Sequence, residues 1–254
     1  MYDKKMRDRM NIKYLLILLA LTLNACGGGG GGGGGSSAPP PATIPDPNLT
    51  VPFQTAMANL VNNGINKTFS VTGFVDNSTV NNPVPRTPIT GSGTLTIGTP
   101  VSATFNGGSV LKATEVVTGS ATANGQSTPI AGSAIVYYNA SNYTVAGSST
   151  GTATTVYAPY TNPSTVKAGS TGTLGSGSTG GIFATTTTSV YTVAGDSVSS
   201  LLVTLIDTVR ESSGGKTTSQ SVYRVTTSGG LTLVSIDVVK NFLGTDYQRL
   251  TYTF

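Results

Sequence analysis

The 254-residue chain contains no histidine, no tryptophan and a single cysteine, Cys26. Histidine is the usual general base near neutral pH, and zinc, haem and copper sites are commonly built from histidine or cysteine ligands. With one cysteine, the chain cannot form an internal disulfide. These absences argue against the commonest hydrolase and transition-metal chemistry, and we predict a non-enzymatic protein without a cofactor or a metal site.

Charged residues are also scarce, at 9% of the chain. The formal net charge of +4 belongs mainly to the first 25 residues, because the rest of the chain carries nine Lys/Arg and eight Asp/Glu residues. These later charges are scattered singly along the sequence. A nucleic-acid surface needs clustered positive charge, so the sequence predicts no nucleic-acid partner.

The N-terminus has the pattern of an export signal. Five basic residues precede an apolar run over residues 15–23, which is far shorter than the ~20 residues of a spanning helix. The sequence Leu23-Asn24-Ala25-Cys26 resembles the lipobox of bacterial lipoproteins. The resemblance implies that residues 1–25 are a lipoprotein signal peptide and that Cys26 receives the lipid. Translation could start at Met1, Met6 or Met10.

Residues 26–47 are predicted to form a disordered tether that links the lipidated Cys26 to one β-rich domain, residues 48–254. Nine consecutive glycines, Gly27–Gly35, are followed by a Ser/Ala/Pro segment. A flexible chain of this length spans roughly 25 Å root-mean-square. Gly27 stands where some lipoproteins carry the aspartate that retains them at the inner membrane. The resemblance therefore implies a lipid-anchored protein of the outer membrane, on either its periplasmic side or the cell surface.

One short helix is predicted at residues 52–62. Pro52 suits a first-turn position, and Phe53, Met57 and Leu60 fall on one face. Asn62-Asn63-Gly64 then provides a stop signal.

The remainder favours β-strands. Threonine and valine dominate, and both are β-branched residues that suit a pleated surface. Asn124-Gly125 is a strong two-residue hairpin signal, and further turns are predicted at residues 139–142, 212–215 and 228–230. The sequence predicts an all-β antiparallel meander of about a dozen strands, as a curved sheet, half-barrel or sandwich. Residues 159–181 have few apolar side chains, so we expect a long loop there around one short strand at residues 165–167.

Several segments resemble a group of threonine-rich, poly-glycine-tethered lipoproteins of β-proteobacteria. The resemblance rests on these segments: Cys26 with its glycine run, residues 69–73, residues 91–96, residues 124–126 and residues 223–227. They are turns and strand starts. The resemblance therefore implies a cellular address and a fold, and it transfers no activity.

Two segments match catalytic patterns without the required context. Residues 175–180 fit G-x-G-x-x-G, but a phosphate site needs a preceding strand and a following helix, so we expect a flexible loop. Residues 147–151 fit G-x-S-x-G, but Ser149 has no histidine to act as its base.

The acidic residues after Cys26 are isolated in sequence: Asp46, Asp76, Glu115, Asp196, Asp207, Glu211, Asp237 and Asp246. A carboxylate pair such as Asp207 and Asp237 could assemble across strands for glycoside chemistry. We expect instead that each of these carboxylates ends a strand or faces solvent beside Arg210, Lys240 or Arg249. If activity exists, Asp196, Asp207, Glu211 and Asp237 are the first candidates, because they flank the most apolar strands.

Three functions remain open from the sequence. The first is a membrane-anchored envelope lipoprotein with a structural or interaction role, whose partner protein is unknown. The second is a carrier or binder of an apolar ligand in a curved-sheet cavity, which requires strands that are apolar on both faces. The third is an outer-membrane β-barrel, for which the aromatic-ended segment Leu250–Phe254 is suggestive.

Overall fold

The computed structural model describes residues 46–76, 78, 84–181, 184–242 and 245–254. The expected signal peptide, Cys26 and nearly all of the tether lie outside these residues. The described part contains one helix, α1 (Phe53–Asn63), and fifteen strands. The strands are β1 (Thr50–Val51), β2 (Ile65–Val75), β3 (Thr87–Ile97), β4 (Val101–Phe105), β5 (Gly108–Ala123), β6 (Gln126–Asn139), β7 (Val145–Ser149), β8 (Thr154–Tyr157), β9 (Val166–Lys167), β10 (Thr171–Thr179), β11 (Thr185–Gly195), β12 (Ser200–Glu211), β13 (Gly215–Thr226), β14 (Leu231–Phe242) and β15 (Thr245–Thr253).

Twelve strands close into an antiparallel barrel. Their order is β3-β2-β15-β14-β13-β12-β11-β10-β8-β7-β6-β5, and pairing of β3 with β5 completes the circle. Among the described strands, β4 pairs with β5 alone, and β1 and β9 form a separate two-stranded sheet. The predicted all-β antiparallel meander is confirmed, and its form is a closed barrel.

The barrel is apolar inside and rich in hydroxyl groups outside. On β2, for example, Phe69 and Val71 are buried, whereas Thr68, Ser70 and Thr72 are exposed. The exposed residues align across neighbouring strands, giving rows of threonine and serine on the outer wall. Three such rows are Thr68/Thr94/Thr118, Ser70/Ser92/Ser120 and Thr72/Thr90/Thr122. The period-two alternation visible in the sequence therefore separates the inner face from the outer face.

Helix α1 lies across one end of the barrel, here called the near end. It starts after Pro52 and ends at Gly64, whose positive φ of 68° and N–H bond to the Leu60 carbonyl (3.0 Å) terminate it. The Asn59 side-chain amide donates to the Gly229 carbonyl in the β13–β14 turn at 3.0 Å. The prediction of a helix at residues 52–62 is confirmed, with a shift of one residue.

The buried side of α1 joins the barrel core. Phe53, Ala56 and Leu60 are at most 2% exposed, and the Phe53 ring stacks with that of Tyr191 on the inner face of β11 at 6.1 Å between centroids. The helix therefore covers the near end with its apolar face.

Glycines allow a close approach of strands β2, β3 and β5. A Cβ atom on Gly93 would lie 2.3 Å from the Thr118 carbonyl oxygen and 2.5 Å from the Phe69 ring. A Cβ on Gly119 would lie 2.3 Å from the Ser92 carbonyl oxygen. These positions admit no side chain without movement of backbone, which is how glycine marks tight bends in a sheet.

The expected loop over residues 159–181 is only partly correct. The short strand predicted at residues 165–167 is present as β9, but β10 is a full barrel strand between β8 and β11. Its glycines are covered by tyrosine rings from elsewhere: a Cβ on Gly172 would lie 2.6 Å from Tyr191, and one on Gly175 would lie 2.8 Å from Tyr160. The strand is stable because its neighbours provide the apolar surface that its own sequence lacks.

Candidate functional site: the polar half of the barrel interior

The inner face of β11–β15 changes from apolar to polar along the barrel. Near α1, Val203, Tyr223 and Leu233 lie in register and are at most 1% exposed. Toward the opposite end, here called the far end, buried polar side chains take over. They are Thr187, Asp207, Thr217, Ser219, Lys240 and Gln248. Buried polar groups are costly unless they are hydrogen-bonded, so apolar packing alone does not explain the sequence of the far half.

Asp207 lies at the centre of this polar region. Its carboxylate accepts a short hydrogen bond from the Ser189 hydroxyl on β11, and Ser219 is its register partner on β13. Burial raises the pKa of Asp207 from the ordinary 3.8 to about 7, although the Ser189 hydrogen bond opposes this shift. The carboxyl is therefore partly protonated near neutral pH.

Tyr160 approaches Asp207 from the segment between β8 and β9. Its hydroxyl oxygen accepts a hydrogen bond from the Val145 N–H at 3.1 Å. Burial raises the pKa of Tyr160 to about 12, with the hydrogen bond from Val145 opposing this shift and the negative charge of Asp207 adding to it. Tyr160 therefore stays protonated under physiological conditions.

Lys240 occupies the inner face of β14 closer to the far end. It is 8% exposed, and its register partners Thr217 and Gln248 are also buried. Burial lowers the pKa of the Lys240 ammonium to about 8, while the charge of Glu211 acts in the opposite direction. A measurable fraction of neutral amine is thus present near physiological pH.

Two hydroxyl groups in the polar half have no hydrogen-bond partner among the described residues. They are Thr187 Oγ1 and Ser219 Oγ, each on a side chain that is 1% exposed. A buried hydroxyl without a partner loses its hydration without compensation. These two hydroxyls are therefore a destabilising feature of the polar half.

Glu115 is the one fully buried carboxyl in the apolar half of the described interior. It is 1% exposed, and its register partners on β3 and β6 are Ile97 and Ala134. Neither carboxylate oxygen has a hydrogen-bond partner among the described residues. Burial raises the pKa of Glu115 well above its usual range, so this side chain is held in its neutral form.

The four acidic candidates from the sequence are not brought together. Asp207 lies inside the barrel, whereas Asp237 lies on the outer face, where Arg249 donates two hydrogen bonds to it at 2.9 and 3.1 Å. Asp196 lies at the near end and accepts hydrogen bonds from Arg224 at 2.7 and 3.2 Å. Glu211 is exposed at the far end. A glycosidase-type pair of Asp207 and Asp237 is therefore excluded.

The expectation that each acidic residue ends a strand or faces solvent is wrong for Asp207 and Glu115. Both lie within strands and face the interior. It holds for Asp237, which pairs with Arg249 as expected, and for Glu211 at the end of β12. The Asp246 side chain lies outside the described part.

Sequence reasoning missed Glu115 and Lys240 as interior groups. The signal was their spacing: Glu115 is two residues from Ala113 and Val117, and Lys240 is two residues beyond Val238. In a strand, residues two apart share a face, so both charged residues continue an apolar inner row.

The two catalytic patterns from the sequence have structural explanations. Residues 175–180 fall on β10 and the turn after it, so the expected flexible loop is wrong. Ser149 ends β7, where its hydroxyl lies 3.4 Å from Thr154 Oγ1. Neither segment presents a nucleotide-binding turn or a serine with a base among the described residues.

A wide surface depression lies at the far end, beside the polar interior. It has a volume of about 400 Å³ and is bounded by the ends of β10, β11 and β12, including Thr185, Arg210 and Glu211. No cluster of three or more acidic, histidine or cysteine side chains in the described ranges could hold a metal ion. No helix among the residues the structure describes is long and apolar enough to cross a membrane.

No protein-family model, no curated protein and no solved structure matches this chain.

Proposed function

We propose that this protein is a lipid-anchored outer-membrane lipoprotein whose barrel has a non-enzymatic structural or interaction role in the cell envelope. The lipobox-like segment ending at Cys26 and the glycine tether support the anchor. The resemblance to threonine-rich lipoproteins of β-proteobacteria supports the same address. The barrel is then the module that the anchor holds at the membrane surface.

The outer wall is the observation that carries this proposal. Its rows of threonine and serine, such as Thr72/Thr90/Thr122 and Thr188/Thr208/Thr218, are suited to contact with water. A barrel wall that meets lipid carries an apolar outward band instead. The closed barrel is also the architecture of the membrane-spanning alternative, but the hydroxyl rows favour a barrel attached to the membrane by its lipid.

Packing of the interior favours an interaction role over transport of an apolar ligand. The buried apolar side chains of the strands and of α1 form one continuous core. A cavity between Val71, Ile130 and Leu250 has a volume of about 10 Å³, which is at the lower limit for one water molecule. A lipid chain would have to displace these core side chains.

The path of the chain supports an orientation for the barrel. β1 pairs with β9 and leads directly into α1, so the tether joins the near end. Cys26 lies 20 residues before Asp46, and the flexible segment reaches roughly 25 Å. The far end, with its depression at Glu211 and its polar interior, is then the end directed away from the membrane and toward a partner.

A fractionation experiment tests the anchor and separates it from the spanning barrel. The wild-type protein should incorporate labelled fatty acid and sediment with the outer membrane, whereas Cys26→Ser should incorporate none and leave the outer membrane. Cys26→Ser that stays in the outer membrane and resists alkaline extraction would instead support a membrane-spanning barrel. Undiminished fatty-acid labelling of Cys26→Ser would refute lipidation at this residue. Ser36→Ala, in the tether, is the control and should behave as wild type.

A further inference from the structure

The two most exposed large apolar side chains of the described part both lie at the near end. Val101, on β4, is 61% exposed, and Val198, in the turn between β11 and β12, is 59% exposed. β4 extends past the end of β3, because it pairs with residues of β5 that precede the β3–β5 register. β5 and β12 are six strands apart around the barrel, so the two valines lie on opposite sides of the near end.

An aromatic pair extends the apolar surface beside Val101. Phe105, at the end of β4, stacks on Tyr137 of β6 with 4.3 Å between ring centroids, and both side chains are partly exposed. Val101, Lys112 and Tyr137 are register partners across β4, β5 and β6, so their side chains form one row. Tyrosine and lysine suit a membrane–water interface, because each has an apolar body and a polar tip.

The near end also carries the excess positive charge of the barrel. Three lysines there form no ion pair with any residue that the structure describes: Lys67, Lys112 and Lys167. Arg224 is paired with Asp196, and Glu115 is buried in its neutral form, which leaves Asp46 to oppose the three lysines. The rest of the barrel carries five basic and five acidic residues, so its formal charges balance.

The proposed tether brings this same end to the membrane. Residues 26–45 contain no charged residue, and they lead into β1 at the near end. A segment that reaches roughly 25 Å lets the barrel either rest on the lipid headgroups or stand clear of them. The exposed valines and unpaired lysines favour contact, because apolar side chains leave water at the interface and lysines are attracted to anionic lipids.

We propose that the near end is a membrane-contact surface, which rests on anionic lipid headgroups through Val101, Val198 and the three lysines. The contact stays at the level of the headgroups. Among the described strands β4 pairs with β5 alone, so its outer edge carries unpaired backbone groups that must remain hydrated. This inference rests on the proposed lipid anchor, because two valines and three lysines are too few to hold the barrel at a membrane without it.

The test uses the absence of tryptophan from the chain. Fatty-acid-labelled protein with Val101→Trp or Val198→Trp is purified from cells and placed on vesicles of phosphatidylcholine and phosphatidylglycerol that contain brominated phosphatidylcholine. Both variants should emit at shorter wavelength and be quenched by the brominated lipid. Val190→Trp on the outer wall and Phe242→Trp at the far end are the matched controls, since these side chains are also 37% and 47% exposed. Neither control should be shifted or quenched.

A lysine on the opposite side of the near end from Val101 tests the role of charge. In the Val101→Trp protein, Lys167→Gln should lower the ratio of docked to undocked barrels about fivefold on these vesicles, as expected for one lysine near an anionic surface. Lys216→Gln, at the far end, should leave the ratio unchanged. Equal effects of the two substitutions would overturn the assignment to anionic lipid. On vesicles of phosphatidylcholine alone, neither substitution should change the quenching.

The fatty-acid label separates failure of the contact from failure of the anchor. Labelled, vesicle-bound protein in which Val101→Trp and Val198→Trp are not quenched would overturn the contact and leave the anchor intact. Equal quenching of all four tryptophan variants would also overturn it, because the barrel would then lie on its side or within the bilayer. A wavelength shift that grows with protein concentration, without quenching by brominated lipid, would assign the valines to a second copy of the chain instead. Protein without the label would refute the anchor and the inference that rests on it.

Discussion

Replacing Asp207 by asparagine should make the stability of the barrel much less dependent on pH. Asparagine keeps an oxygen that accepts the hydrogen bond from the Ser189 hydroxyl, and it has nearly the shape of the neutral carboxyl. What the substitution removes is the titration of a buried acid. The comparison therefore isolates the cost of ionising Asp207 inside the barrel.

The magnitude follows from the raised pKa. In the unfolded chain Asp207 ionises near its ordinary value of 3.8, whereas in the folded barrel it ionises at about 7. The folded state holds the proton more tightly, so the free energy of unfolding is greatest at low pH and falls as pH rises through this window. Each pKa unit corresponds to about 1.4 kcal/mol, giving a total of about 4 kcal/mol. About 2.5 kcal/mol of this loss falls between pH 5 and pH 8.

The assay is chemical denaturation of the wild type and of Asp207→Asn at several pH values between 5 and 8. The wild type should lose about 2.5 kcal/mol more than the variant across this range. Glu115 contributes a slope of the same sign in both proteins, so the difference between the two curves is the quantity to measure.

Asp196→Asn is the matched control. Hydrogen bonds from Arg224 lower the pKa of Asp196, so it is ionised in both the folded and the unfolded states above pH 5. Asp196→Asn should therefore lower the free energy of unfolding by about the same amount at every pH of the series. A pH slope in Asp207→Asn equal to that of the wild type would refute the reasoning, because burial would then not perturb this carboxyl.

Three further substitutions test other parts of the fold. Glu115→Gln should raise the free energy of unfolding at pH 8, as measured by urea denaturation, because glutamine cannot ionise within the apolar half. The free energy of unfolding of this variant should also decline less with increasing pH. A lower stability at pH 8 would contradict this prediction. Gly93→Ala should lower the melting temperature, since its Cβ would lie 2.3 Å from the Thr118 carbonyl oxygen and 2.5 Å from the Phe69 ring. An unchanged melting temperature would mean that β3 can move away from its neighbouring strands at this position without cost. Leu233→Ala should cost about 2–5 kcal/mol in denaturant unfolding, because Leu233 is 1% exposed in the core, and a cost below about 1 kcal/mol would place it outside the core.

The sequence predicted those features that depend on local pattern. The Asn124-Gly125 hairpin is confirmed, with both residues at positive φ of 50° and 74° as a tight hairpin requires. The helix ending at Gly64 and the alternation on β2 were predictable for the same reason. Each of these signals is contained within a few neighbouring residues.

Features that depend on distant contacts were not predictable. β10 is a strand because Tyr160 and Tyr191 cover its glycines, and both rings come from other segments. The closure of the barrel depends on pairing between β3 and β5, which no short-range pattern specifies. The polar region around Asp207 and Lys240 likewise appears only when strands are aligned. Residues 159–181 contain few apolar side chains, and this composition favoured a loop. The apolar surface that makes part of this segment a strand comes from neighbouring segments, which the local sequence does not reveal.

The pairing of β15 with β2 also determines when the barrel can be completed during synthesis. Thr253 aligns with Ser70, so β15 joins β2, and the two strands are separated by most of the described barrel sequence. A chain produced from its N-terminus exposes the edges of β2 and β14 until β15 emerges. Such edges readily pair with other chains, and the long sequence separation slows the final step. The growing chain is therefore most prone to aggregation just before β15 emerges, which is when a chaperone that shields strand edges would matter most.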